Sequence, residues 1–362
     1  MTARPSRVLI ARLDNAGDVL LAGPTVRAVA ERSDRVTMLV GPVGRAAAAL
    51  LPGVDEILVF DAPWSGFAPP PVSTSAVAAL VASVAAADVD EALVLTSFHQ
   101  SPLPLALLLR LAGVGRIAAI SVDYPGSLLD VRHQASDGLH EVERGLSLAA
   151  ALGHRLPAGD NGALAVRRPL PTPSLERPYV VVHPGASVPA RAWAPARCAA
   201  LVDALAADGW QVLVTGSPGE RSLTATVAGP PRQDVVDLGG RTDLAGLAGV
   251  LDGASVVVCA NTGPAHLAAA VGTPVVSLFA PVVPASQWAP WGVPVVVLGD
   301  QTIACAGCRA RTCPVPGHPC LAAVDVVDVV EAVTRLSAAS HDHHAADRQR
   351  VPGSALSGLG AR

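Results

Sequence analysis

Cys259 to Pro284, CANTGPAHLAAAVGTPVVSLFAPVVP, reads as a strand end, a phosphate-sized turn, a short helix, a second strand and a second turn. Val256 to Cys259 closes an apolar, β-branched run. Asn261, Thr262 and Gly263 offer N-cap chemistry, and Pro264 suits a first helical turn, where its missing N–H is not needed. His266 to Val271 carries the helix, Gly272 stops it, and Thr273-Pro274 keeps the chain extended. Val275 to Phe279 is a buried strand, which Ala280-Pro281 leaves as a loop. A helix that opens just past a strand's carboxyl end presents unpaired amides and a positive dipole end to an anion. An ordinary strand-to-helix turn of a parallel sheet has the same pattern, so on geometry alone the two readings stand level.

Outward from this stretch, strands and helices alternate. Upstream, Val8 to Leu13, Val36 to Val40, Ile57 to Phe60, Ala92 to Thr96 and Arg116 to Ile120 read as strands. Helices are expected at Val19 to Arg32, Ala76 to Ala87, Pro104 to Ala112 and His140 to Leu152. Pro157 to Pro178, with its PLPTPS run, favours an extended linker. The pattern then restarts, with strands at Tyr179 to His183, Gln211 to Thr215 and Val235 to Leu238 before the opening stretch. The fold class is therefore α/β, with two doubly wound halves facing a cleft. The expected division is 1–165 for the first half, 176–320 for the second, 321–338 for a C-terminal helix and 339–362 for a disordered tail.

The 362 residues are enough for about two domains. Apolar residues make up 51% and aromatics 3%, which suits Ala, Val and Leu packing between helices and parallel strands. The chain contains no lysine, which we read with its alanine richness as base-composition bias in the source genome. A net charge of −4 gives no support for nucleic-acid binding. The apolar run Val8 to Ile10 is broken by Arg12 and Asp14 and is too short for a signal peptide. Ala76 to Ala87 falls short of the roughly 20 residues a membrane span needs. A cytoplasmic protein is expected, with peripheral contact at the inner face of the membrane if its acceptor is lipid-linked.

Four segments in order carry a resemblance: VLIARLDNAGDVLLAGPTVRAV (Val8 to Val29), VVVHPGASVPARAWAPARCAALV (Val180 to Val202), VLVTGSPGE (Val212 to Glu220) and the opening stretch. Together they resemble glycosyltransferase family 9, whose best-known members are the ADP-heptose:lipopolysaccharide heptosyltransferases. The likeness implies a GT-B fold, with the nucleotide sugar on the C-terminal half and the acceptor mainly on the N-terminal half. It also implies an inverting transfer that requires no cofactor, from a nucleotide-diphosphate sugar (an ADP-sugar favoured) to a glycan or lipid-linked acceptor.

By that resemblance Asp18 matches the family's general base, which takes the proton of the attacking hydroxyl. A carboxylate is also favoured at a helix start for electrostatic reasons alone, and Asp14 in the same turn reads as an N-cap or supporting acid. Arg191 sits where the family commonly has lysine, and a cation there would hold the donor diphosphate. Ser187 and Ala186 offer backbone amides to phosphate, and Trp193 packs nearby. Asn261 stands where the family often has aspartate, which argues against an essential acid at this site and weakens heptose as the sugar. Thr262, Gly263 and Pro264 form the anion turn, and His266 either bonds the ligand or ties helix to loop.

Gly216, Ser217 and Glu220 follow a strand at a position that can reach the nucleoside, with Glu220 on a ribose hydroxyl or simply at the surface. His99, His140 and Arg144 face the acceptor side, without a feature that selects among them. Cys305-x2-Cys308-x4-Cys313-x6-Cys320 has ligand-like spacing in its first pair; a structural metal, a disulfide or plain thiols are all open, and no catalytic metal is expected. Cys198 and Cys259 read as core. A nucleotide-sugar epimerase or hydrolase, or a non-catalytic sugar-nucleotide-binding protein, are the alternatives to a transferase.

Overall fold

A computed structural model describes residues 7–66, 68–98, 100–171 and 178–348, with side chains to residue 338. The strands of the first half are β1 (Arg7–Arg12), β2 (Arg35–Val40), β3 (Glu56–Val59), β4 (Glu91–Leu95), β5 (Arg116–Ile120) and β6 (Val131–His133). Those of the second are β7 (Tyr179–His183), β8 (Gln211–Val214), β9 (Val235–Asp237), β10 (Val256–Ala260), β11 (Val275–Leu278) and β12 (Val295–Leu298). They form two six-stranded sheets in the orders β3-β2-β1-β4-β5-β6 and β12-β11-β10-β7-β8-β9, and adjacent strands pair in parallel. The sheets thus share one topology, and each reverses its strand order at one crevice, β1/β4 or β7/β10. Ligands of such sheets bind beyond the strand carboxyl ends at those crevices. The central strands are buried throughout and mostly apolar because helices cover both faces.

The halves meet along two helices, Ala16–Leu21 after β1 and Gly263–Val271 after β10. From Ala265 to Val271 the second helix is buried all round, since it packs on its own sheet and on the other half. A methyl group added at Gly17 would lie 3.0 Å from His266 Cδ2 and 3.2 Å from the Gly263 Cα. Glycine is what allows the two helices to approach this closely. Away from this contact, His140 Nε2 donates to the Ala289 carbonyl at 2.9 Å and its ring stacks on Trp291 at 4.5 Å. Trp291 Nε1 in turn donates to the Gly162 carbonyl at 3.0 Å.

Some elements differ from the expectation. The helix expected over Val19 to Arg32 is two, Ala16–Leu21 and Gly23–Ala30, because Pro24 lacks the N–H that would continue the first. The C-terminal helix expected over 321–338 divides into Pro319–Ala322 and Val326–Arg348, the second running past residue 338. The rest of the expected tail, 349–362, lies outside the described residues, as do His99 and residues 172–177 of the linker. The short edge strands β6 and β12 add to the expected set. Among the described residues no helix is long and apolar enough to cross a membrane.

Candidate active site

The carboxyl end of β1 delivers Arg12, level with Val40 and Leu95 of the neighbouring strands and 4% exposed. A buried guanidinium is tolerated only when its charge is met. Arg12 Nη1 donates to Glu141 Oε2 at 2.9 Å, and Nη2 donates to Asp18 Oδ1 at 3.1 Å and Ser97 Oγ at 3.2 Å. Arg12 Nε lies 2.9 Å from Asp14 Oδ2. Asp14 also accepts from Gln100 Nε2 at 2.7 Å and Ser97 Oγ at 3.2 Å, while Glu141 Oε1 accepts from Arg144 Nη1 at 2.5 Å. Asn15, rather than Asp14, is the N-cap residue of the helix Ala16–Leu21.

Asp18 stands at the cleft side of this network, with its second carboxylate oxygen accepting the Asn15 N–H at 3.1 Å. Burial pushes its carboxyl up, Arg12 pulls it down, and the charges of Asp14 and Glu141 push it up again, leaving it at about 6. Burial opposes the charge of Arg12, but Asp14, Glu141 and Asp18 outweigh it, so Arg12 stays protonated. A carboxylate near 6 is ionised at neutral pH yet basic enough to accept a proton in a transition state.

A cleft of about 440 Å³ lies between the halves, with Asp14, Asp18, Ser97, Phe98 and Gln100 on one wall. Ser187, Arg191, Asn261, Thr262, Gly263 and His266 line the other. Thr262 caps the helix Gly263–Val271 in an extended conformation, without a side-chain bond to its own helix. Arg191 Nη1 donates to the Asn261 carbonyl at 3.2 Å, and Asn261 Nδ2 donates to the Ala280 carbonyl at 3.3 Å. An amide at 261 therefore donates a bond that a carboxylate could not. Arg191 Nε, Asn261 Oδ1, Thr262 Oγ1 and His266 Nδ1 are buried without a hydrogen-bond partner among the described residues. Such atoms are costly unless a ligand or water completes them.

Burial pushes His266 down to about 3, helped by the charges facing it from His140 and Arg191, so its imidazole is neutral. Burial also lowers Arg191, while Asp18 across the cleft raises it. The wall thus combines a cation, a neutral imidazole, a hydroxyl and a helix N-terminus, a donor set suited to phosphate.

Pro264 forms the first turn of that helix and does not line the cleft. Gly216, Ser217 and Glu220 also lie outside its lining, at the end of β8. There the Glu220 carboxylate accepts the Ser217 N–H at 2.7 Å and fills the space over Gly185. Trp193 is buried beside Arg191. His140 is the N-cap of the helix Glu141–Ala151 and a bond across the halves, and Arg144 lies 3.8 Å over the Phe98 ring.

Sequence reasoning does not single out Arg12, Ser97, Gln100, Glu141, Trp288, Arg309 or Arg311 as site residues. A lone arginine ending an apolar strand is the available sign for Arg12; Glu141 lies 129 residues away and has none. Cys305, Cys308, Cys313 and Cys320 are free thiols around one pocket of about 30 Å³. Among the described residues no group of three or more His, Cys, Asp or Glu could hold a metal ion. Cys198 and Cys259 are buried, which pushes both thiols up to about 12.

Residues 78–318 match the family model described as glycosyltransferase family 9 (heptosyltransferase). Lipopolysaccharide heptosyltransferase 1 of Pseudomonas aeruginosa is 34% identical over 62% of this chain and 64% of its own length. Lipopolysaccharide heptosyltransferase 3 of Escherichia coli is 33% identical over 35% of this chain. The chain spans 38% to 64% of the length of these two relatives. In structure it is similar to E. coli ADP-heptose LPS heptosyltransferase II, with a TM-score of 0.72 at 21% identity over 92% of this chain and 99% of that one. That likeness is one of fold, the GT-B arrangement of two Rossmann-like halves. With residues 78–318, well over half of the chain, matching the family's model, this chain belongs to glycosyltransferase family 9.

Proposed function

We propose that the chain is an inverting glycosyltransferase. It moves a sugar, heptose or a related one, from a nucleotide-diphosphate sugar to a hydroxyl of a glycan or glycolipid acceptor. One observation carries the reading: a carboxylate near pKa 6 faces, across one cleft, a helix N-terminus ringed by unpartnered polar atoms. Its relatives are lipopolysaccharide heptosyltransferases, and the E. coli enzyme that shares its fold is an ADP-heptose heptosyltransferase, so ADP-heptose is the donor to test first.

In the step, the acceptor oxygen bonds to the anomeric carbon while its proton passes to Asp18. The bond from that carbon to the diphosphate breaks, and its electron pair leaves with the nucleoside diphosphate. Attack opposite the leaving group inverts the carbon. Arg191 and the amides opening Gly263–Val271 stabilise the charge that develops on the diphosphate, and Thr262 and the neutral His266 add hydrogen bonds. Asn261 accepts through its Oδ1 a donor group of the ligand. Ser187 extends the anion turn towards Gly216, Ser217 and Glu220, where the nucleoside lies. A lipid-linked acceptor would bring the chain to the inner face of the cytoplasmic membrane.

A thermal-shift series with ADP-, GDP-, UDP- and dTDP-sugars tests the donor site without an acceptor. A ligand at a hundredfold excess over its Kd adds about 2.7 kcal/mol of stability. A shift with one nucleotide series is expected, ADP first; no shift with any of them would sink the reading.

A further inference from the structure

The Cys-rich segment has no part in the step above, yet it reaches the cleft. Arg309 and Arg311 line that cleft beside Val282 and Arg191. Their backbone is stitched to the two loops that flank the anion turn. The Arg309 N–H donates to the Val282 carbonyl at 3.0 Å, and the Gly307 N–H to the Pro281 carbonyl at 2.7 Å. On the other side, the Ala190 N–H donates to the Arg311 carbonyl at 2.9 Å, and His318 Nε2 bonds the Ala190 carbonyl at 3.0 Å. Ala190 precedes Arg191, and the Pro281-Val282 loop follows Ala280, which Asn261 holds.

Within this frame Arg309 has φ +54°, the left-handed region that side chains rarely adopt. A residue kept in such a conformation between fixed neighbours marks a place where position matters more than local comfort. Its guanidinium makes no hydrogen bond or ion pair among the described residues.

We infer that Arg309 is a second diphosphate-binding arginine, carried into the donor site by the Cys-rich segment and working with Arg191. The inference rests on the donor-site reading above. Its chemistry is the same charge-assisted bonding of phosphate oxygens, supplied from a different loop. The pocket of thiols behind the segment then has a structural duty, to pack the loop that presents Arg309.

The test is Arg309→Gly, because glycine removes the guanidinium and accepts φ +54° without strain. Calorimetry with ADP and with inorganic pyrophosphate is compared between the unaltered full chain, Arg309→Gly and Arg309→Lys. The inference expects about tenfold or greater weakening of both ligands in Arg309→Gly, partial recovery in Arg309→Lys, and a melting temperature without ligand that is unchanged or raised. Unchanged affinities in Arg309→Gly, with the unaltered chain binding both ligands, overturn the role of Arg309 alone. A fall in both melting temperature and affinity would make it a structural residue and also overturn the inference. Failure of the unaltered chain to bind either ligand overturns the donor-site reading first and this inference with it.

Discussion

The two walls of the cleft are built on opposite principles. On the first half, Arg12, Asp14, Asp18, Ser97, Gln100, Glu141 and Arg144 meet one another's charges and bonding groups, with Arg12 Nε held to Asp14 by charge at 2.9 Å rather than by a hydrogen bond. On the second half, Arg191, Asn261, Thr262 and His266 each leave a buried polar atom unmatched. A satisfied network fixes one group in one protonation state and position. An unsatisfied wall costs stability until something binds and completes it. On the proposed function, the first wall prepares a proton acceptor and the second holds a ligand rich in oxygen.

Variants that separate the walls test this. Asp18→Asn should lower kcat by about a thousandfold or more, within the range of a lost general base. It should leave ADP affinity intact and keep the melting temperature at pH 7.5, because the ionised carboxylate is itself disfavoured by burial. Loss of ADP binding in this variant would blur the division between walls. Arg191→Ala should weaken ADP by about 10- to 100-fold through the loss of a charge-assisted bond and lower kcat as well, since the same cation meets the charge developing on the diphosphate, while the acid limb of the rate keeps its midpoint. An unchanged ADP affinity would remove Arg191 from the ligand wall. Gly17→Ala, on the helix contact between the walls, should destabilise by about 1–3 kcal/mol, since its methyl must displace His266 or the Gly263 backbone. A neutral effect in denaturant titration would mean that the halves give way there freely.

The same contrast explains what the sequence makes legible. The anion turn can be read because strand end, cap, Pro264 and helix fall within a dozen residues, each with its own local preference. The alternation of central strands is clear because apolar runs buried on both faces differ sharply from helices. The break at Pro24 is hidden because the apolar spacing runs on through it, and β6 and β12 because edge strands are short and half-buried.

The network that sets Asp18 is illegible for another reason. Its members, Arg12, Ser97, Gln100 and Glu141, come from separate strand ends and a helix, and no local pattern links them. Cys305 to Cys320 draws attention for its thiols, while the side chains that line the cleft include the arginines among them, Arg309 and Arg311. Glu220, singled out by its place just after a strand, also caps its own turn.

The protonation of Asp18 ties the fold to the proposed step, and pH exposes it. The folded pKa of about 6 lies above the ordinary 3.8, so the fold holds this proton more tightly than the unfolded chain does. The resulting stability is present at low pH and is lost as pH rises from about 4 through about 6, the range in which the proposed base would become active. The direct measurement is kcat/KM for sugar transfer from pH 4.5 to 8.5, in the unaltered chain and in Glu141→Gln. An acid limb with a midpoint near 6 is expected, moved to lower pH in Glu141→Gln because one of the charges that raise Asp18 is gone. A rate that is flat across this range, or a midpoint that Glu141→Gln leaves in place or moves upward, would contradict it.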